Sequence, residues 1–194
     1  MAAILGIKYV FEGTEILSET ESSPHVLVSN HQSSLDVLGM MLIWPKNTVS
    51  VAKKSLKYLP LFGTGASMSK TVFIDRVNRE QARNVINEAL KEEKLNLWIF
   101  PEGTRNHEEG MLPFKKGAFH AAVQAQVPII PIVFSPYSFY NKKLMKFDSG
   151  TIKITVLKPI PTVGLTTDDV DELSLQVREQ MLAIYRQRET DSAR

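Results

Sequence analysis

Short apolar runs that end in polar turns recur along this chain, and most are followed by a stretch with helical spacing. Val26-Leu27-Val28 leads into Ser29-Asn30-His31-Gln32. Leu95 to Phe100, apolar except for Asn96, leads into Pro101-Glu102-Gly103-Thr104-Arg105, and Val127 to Phe134 forms a third run with prolines at its entry. Continuous runs of this length read as strands buried on both faces. Leu5 to Phe11, Val49 to Ala52 and Thr71 to Ile74 predict further strands. Ile152, Ile154 and Val156 alternate with Lys153 and Thr155, which predicts a half-exposed strand near a sheet edge.

Between the runs the period changes to that of a helix. One helix is expected from Ser33 or Ser34 to about Trp44, where Pro45 disfavours its continuation. A second opens at an Asn78/Gln81 capping box and carries Ala82, Val85, Ile86, Ala89 and Leu90 on one face. Ala118 to Gln126 predicts a third. The last starts at a Thr166/Asp169 capping box and shows Val170, Leu173, Val177, Met181 and Ile184 in a core-facing stripe. Glu12-Gly13 is a turn and Glu19 to Pro24 a polar loop. Strands alternating with helices predict an α/β fold: one domain over residues 1–194, with a mixed, largely parallel sheet flanked by helices and a motif core at 26–134.

Composition narrows the possible functions. A length of 194 residues suits one α/β domain with a sizeable core. A net charge of +2 gives no argument for nucleic acid as a partner. The lysines do cluster: Lys53-Lys54 with Lys57, Lys115-Lys116, and Lys142-Lys143 with Lys146. Such clusters are solvated surface or face phosphates and anionic bilayers. The absence of cysteine excludes disulfides, thiolate metal sites and a cysteine acyl-enzyme. MAAILGIKYVF lacks the pattern of a signal peptide, and the longest apolar run, Val37 to Pro45, is far short of the ~20 residues that span a bilayer.

In an open α/β sheet, ligands collect at the carboxyl ends of strands. There His31 supplies a group that exchanges protons near neutral pH, and Asp36 supplies a carboxylate able to orient it. The same residues fit a second reading, since Ser33 to Asp36 is also a capping box. In the second turn Gly103 permits close backbone approach, Arg105 offers a planar fork of donors to a phosphate, and Thr104 adds a hydroxyl. Glu102 repels phosphate, so it is expected either to hold Arg105 or to accept a bond from a substrate hydroxyl. FIDR (Phe73 to Arg76) and Lys115-Lys116 complete a basic pocket with a histidine at its edge. Two other patterns fail: Gly63 to Met68 lacks the last glycine of G-x-G-x-x-G, and Gly65 to Ser69 lacks that of G-x-S-x-G. His25, His31, His107 and His120 show no metal-ligand spacing.

Taken together, NHQSSLD, FIDR, FPEGTR and VPIIPI, in this order, resemble the motif blocks of the membrane-associated glycerolipid acyltransferases. The resemblance runs from about Gly6 to Arg186, and NHQSSLDVLGMM, FPEGTRNH, MLPFKKGAFH and AVQAQVPIIPIV look most like the eukaryotic lysophosphatidic acid acyltransferases. It implies transfer of a fatty acyl group from acyl-CoA to the sn-2 hydroxyl of lysophosphatidic acid. His31 and Asp36 would then be the general-base dyad, with Arg76, Glu102, Gly103, Thr104, Arg105, Lys115 and Lys116 binding substrate. No metal or resident cofactor is implied, acyl-CoA being a co-substrate. The implied setting is a membrane surface, that of the endoplasmic reticulum, reached from the cytosol. Members usually carry hydrophobic helices before this region, and none is read here. An apolar, lysine-ringed patch is therefore expected at Leu56 to Phe62, with Lys53, Lys54 and Lys57, or at Met1 to Leu5. Two other readings stay open: a lipid hydrolase using Ser33 or Ser34, and a phosphate- or lipid-binding module without turnover.

Overall fold

A computed structural model of the chain describes residues 2–4, 6–53, 71–74, 84–141 and 145–192. In chain order the elements are β1 (Ala2–Ile4), β2 (Ile7–Glu12), α1 (Glu15–Glu19), β3 (Val26–Ser29), α2 (Leu35–Leu42), β4 (Thr48–Lys53), β5 (Val72–Ile74), β6 (Asn96–Ile99), α3 (Gly117–Ala125), β7 (Ile129–Phe134), β8 (Tyr140–Asn141), β9 (Lys146–Phe147), β10 (Gly150–Val156) and α4 (Val170–Ser192). Among the described residues, eight strands form one mixed sheet in the order β1-β2-β10-β7-β3-β6-β4-β5. From β7 through β3, β6 and β4 to β5 every neighbour is parallel. The expected mixed, largely parallel α/β sheet is the one observed.

The apolar runs are continuous because both faces of the central strands are covered. Val26 and Val28 pack into a cluster with Ala118 and Ala122 of α3 and Val170, Leu173, Val177 and Met181 of α4. Leu27, pointing the other way, joins Leu35 and Met40 of α2 with Tyr9 and Trp98. Burying one Val or Leu side chain contributes ~1.5–3 kcal/mol, so this strand is fixed in register as well as in place. The Thr166/Asp169 capping box is present and opens a 3-10 turn before α4. It precedes a helix whose apolar stripe packs inward as expected, with Tyr185 buried next to the half-buried Ile184.

Several expectations need correction. β10 is not near an edge: it lies between β2 and β7. Its alternation reports one polar face, where Lys153 Nζ meets Glu12 Oε1 of β2 at 3.1 Å. α2 starts where expected, with Ser34 as its N-cap and Leu35 its first residue, and Asp36 and the Ser33 hydroxyl accept the amides of Ser33 and Leu35 at its start. A short α1 occupies part of the segment between β2 and β3, and the helix ahead of β6 ends in a π-helical turn over Glu88–Glu92. The Asn78/Gln81 capping box, Arg76, Met1, Leu5, Lys54, Lys57 and the Leu56 to Phe62 segment lie outside the described residues.

Candidate active site

β3 and β6 are adjacent and parallel, with Val28 opposite Ile99, so their carboxyl ends deliver the His31 turn and the Glu102 turn side by side. The His31 turn is held in place by Asn30, which is 1% exposed. Its side chain bonds to β7 as a backbone would, accepting from Phe134 N at 2.8 Å and donating to Phe134 O at 3.0 Å. Next, the backbone of His31 is gripped from the β6 side. Its N–H donates to Glu102 Oε1 at 2.8 Å, and its carbonyl accepts from Asn106 N at 2.7 Å. The imidazole stacks on Phe100, ring centres 4.1 Å apart.

His31 Nδ1 lies 2.9 Å from Asp36 Oδ2, with Asp36 fully buried and the His31 side chain 14% exposed. An ionised carboxylate only accepts, so Nδ1 carries the proton and Nε2 keeps its lone pair. The same Oδ2 accepts the amides of Gln32 at 2.6 Å and Ser33 at 2.8 Å. One carboxylate thus makes both the contact to the imidazole and the bonds to the amides at the helix start. Those two amides are occupied, which removes them as donors to an oxyanion.

Glu102 is 3% exposed and, among the described residues, does not hold Arg105: Oε1 takes the His31 amide and Oε2 the Leu112 amide at 2.8 Å. Burial raises its pKa, opposed by those two bonds and the nearby imidazole. It is a strut between two loops, formed because a strand-end carboxylate faced two amides without partners. Gly103 has φ +71°, and a Cβ there would lie 2.7 Å from Lys115 Nζ, so Lys115 is laid across the Glu102 turn. Thr104 and Arg105 are exposed, and Arg105 has no carboxylate partner among the described residues. Lys116 is turned to α4, where it pairs with Asp171 at 2.5 Å.

Residues that spacing did not point to complete the site. Tyr137, on the connection after β7, reaches Asp36 Oδ1 at 2.9 Å across 101 positions. From α4, Arg178 donates to the Met111 and Leu112 carbonyls, and Tyr185 to Gln32 Oε1 at 3.3 Å. Among the described residues no group of His and acidic side chains is placed to hold a metal ion.

The family model described as Acyltransferase matches residues 8–135. The chain belongs to that acyltransferase family. It is 51% identical over 184 residues to the putative 1-acyl-sn-glycerol-3-phosphate acyltransferase acl-2 of Caenorhabditis elegans, covering 92% of this chain and 64% of that protein. Identity to the human 1-acyl-sn-glycerol-3-phosphate acyltransferase alpha is 50% over 174 residues, covering 88% and 62%. The chain thus spans a little under two thirds of the length of these relatives. The crystal structure of the 1-acyl-sn-glycerophosphate (LPA) acyltransferase PlsC from Thermotoga maritima superposes with a TM-score of 0.78 at 27% identity, over 98% of this chain and 74% of that one. In this family member the matched span holds His31, Asp36 and the Glu102 turn, whereas Tyr137, Arg178 and Tyr185 lie beyond it. No helix among the described residues is long and apolar enough to cross a membrane.

Proposed function

We propose that this chain is a single acyltransferase domain that moves a fatty acyl group from acyl-CoA to the sn-2 hydroxyl of lysophosphatidic acid, giving phosphatidic acid. The observation that carries the reading is the His31–Asp36 pair, fixed at a strand end beside the basic Glu102 turn. His31 Nε2 takes the hydroxyl proton as the oxygen attacks the thioester carbonyl. The C–S bond then breaks and the CoA sulfur leaves with the proton from the imidazolium. Asp36 holds the ring in the correct tautomer and stabilises its transient positive charge. Arg105 and Lys115 would bind the acceptor phosphate, with Thr104 and the Gly103 backbone beside them and Arg76 as a further candidate. Lys116 contributes less, being paired with Asp171. Acyl-CoA enters as co-substrate, not as a resident cofactor.

Both substrates are amphiphiles, so the reading places the catalytic end of the sheet at a membrane surface, that of the endoplasmic reticulum facing the cytosol. Against a serine hydrolase, the Ser33 hydroxyl is buried between Tyr137 and the Leu35 amide and makes no bond to His31. Release of CoA from acyl-CoA, followed with a panel of lysophospholipid acceptors, tests the proposal. Release should require an acceptor and favour lysophosphatidic acid. Binding of lysophosphatidic acid without release would indicate a binding module, and an acceptor-independent burst with a covalent acyl-protein would indicate the hydrolase.

A further inference from the structure

The Tyr137 hydroxyl lies 2.9 Å from Asp36 Oδ1 and 2.7 Å from Ser33 Oγ. It has one proton to give. A carboxylate is the stronger acceptor, so that proton lies on Asp36 and the Ser33 hydroxyl turns its own proton toward the phenolic oxygen. The Ser33 oxygen in turn accepts the Leu35 amide at 3.0 Å. This makes a directed chain from the start of α2 to the carboxylate. Oδ2 is served by the His31 ring and two amides, whereas the bond described at Oδ1 is that of Tyr137. Asp36 is fully buried, so water does not replace a lost donor there.

We propose that Tyr137 is a positioning residue of the acyl transfer, which locks the Asp36 carboxylate in rotation and moderates its pull on the His31 proton. The inference rests on the general-base reading above and adds a residue outside the matched span. Its phenol suits the task because burial and the Asp36 charge hold its pKa far above the ordinary value, so it stays a donor. The other ionisable groups around Asp36 do not duplicate the role. Tyr9 of β2, raised to about 12 by burial and the same charge, spends its proton on the Leu35 carbonyl at 3.2 Å. Glu102 is committed to two amides.

Tyr137→Phe removes the hydroxyl and keeps the ring, which stacks on Phe139 with centres 5.1 Å apart. Without this donor the carboxylate holds more charge at Oδ1 and attracts the imidazole proton more strongly. The base then stays protonated to higher pH. In the variant kcat should fall ~3- to 30-fold, part of what a charged hydrogen bond is worth, while both KM values stay within about twofold. The acidic limb of the pH–rate profile should move to higher pH. A variant with wild-type kcat, or a lower kcat with an unmoved pH profile, overturns the proposal. NMR titration of the His31 ring in the two proteins needs no turnover: it should move to higher pH in Tyr137→Phe, and an unmoved curve also overturns the proposal. A wild type without CoA release would instead remove the acyl-transfer reading and leave the titration to judge the contact.

Discussion

At the scale of residues, Asp36 combines two tasks that single substitutions can separate. Asparagine keeps an oxygen able to accept the Gln32 and Ser33 amides, so Asp36→Asn should retain most of the helix start. It removes the charge that balances an imidazolium and the rule that fixes the tautomer. Turnover should drop ~10²- to 10⁴-fold with a small change in Tm, measured by CoA release and thermal unfolding. Full activity in this variant would leave Asp36 as a cap alone. Arg105 presents the complementary case, being exposed and without a carboxylate partner among the described residues. Arg105→Ala should raise the KM for lysophosphatidic acid ~10- to 100-fold, from ~1.5–3 kcal/mol per charge-assisted bond, with the KM for acyl-CoA moving far less. Equal rises in both constants would place Arg105 away from the acceptor phosphate.

At the scale of elements, the site depends on how closely α2 lies on the sheet. A Cβ at Gly39 would come within 2.7 Å of Ile154 Cδ1 and 2.9 Å of Phe134 Cε1 and Tyr9 Cε1. Helix propensity alone favours alanine by ~1 kcal/mol, but overpacking against such buried side chains costs ~1–3 kcal/mol. Gly39→Ala should therefore be destabilising on balance, seen as a lower urea midpoint, and should reduce kcat because Asp36 sits one turn earlier on the displaced helix. A stabilised, fully active variant would show that the sheet yields easily. This dependence on packing also explains what the sequence could convey. β3 and β6 were legible because burial on both faces leaves an unbroken apolar run, and His31 and Asp36 because their pairing is local. Tyr137 was not, since a contact across 101 positions leaves no periodicity. The interior place of β10 was hidden because alternation reports the polarity of a face and not the number of neighbouring strands. Glu102 was legible as important, but its partners, the amides of His31 and Leu112, carry no side-chain signature.

At the scale of the whole molecule, stability and lipid contact each make a distinct demand. His25 is fully buried at the amino end of β3; Nδ1 lies 3.0 Å from the Ser23 carbonyl, Nε2 has no partner among the described residues, and burial lowers its pKa. As pH falls through the ordinary histidine value, ~6.5, the unfolded chain binds this proton and the folded one resists. Stability should therefore decline from pH 7.5 toward 5.5, by at most ~1.4 kcal/mol per pH unit for one proton, and the decline should flatten in His25→Gln. Glu102 acts with the opposite sign, in the window between the ordinary carboxylate value and its raised one. An equally steep decline in His25→Gln would assign the dependence to another group. The connection from β7 to β10 leaves the same end of the sheet as the His31 turn, because β3 and β7 are parallel and β10 returns antiparallel. On it stands the β8–β9 hairpin, with Met145 90% exposed, Phe147 48% exposed, and Lys146 beside them. On the proposed reading amphiphilic substrates enter at this end, and apolar side chains held out there suit a bilayer surface; Lys146, in an exposed pair with Asp148 at 3.4 Å, adds at most ~1 kcal/mol where that surface is anionic. The chain should float with anionic vesicles at low salt and release at high salt. Met145→Asp with Phe147→Asp should reduce the floated fraction severalfold while leaving CoA release from short-chain, micelle-free substrates unchanged. Undiminished flotation of the double variant would shift the contact to another surface, and failure of the wild type to float at any salt concentration would remove peripheral binding by this chain altogether.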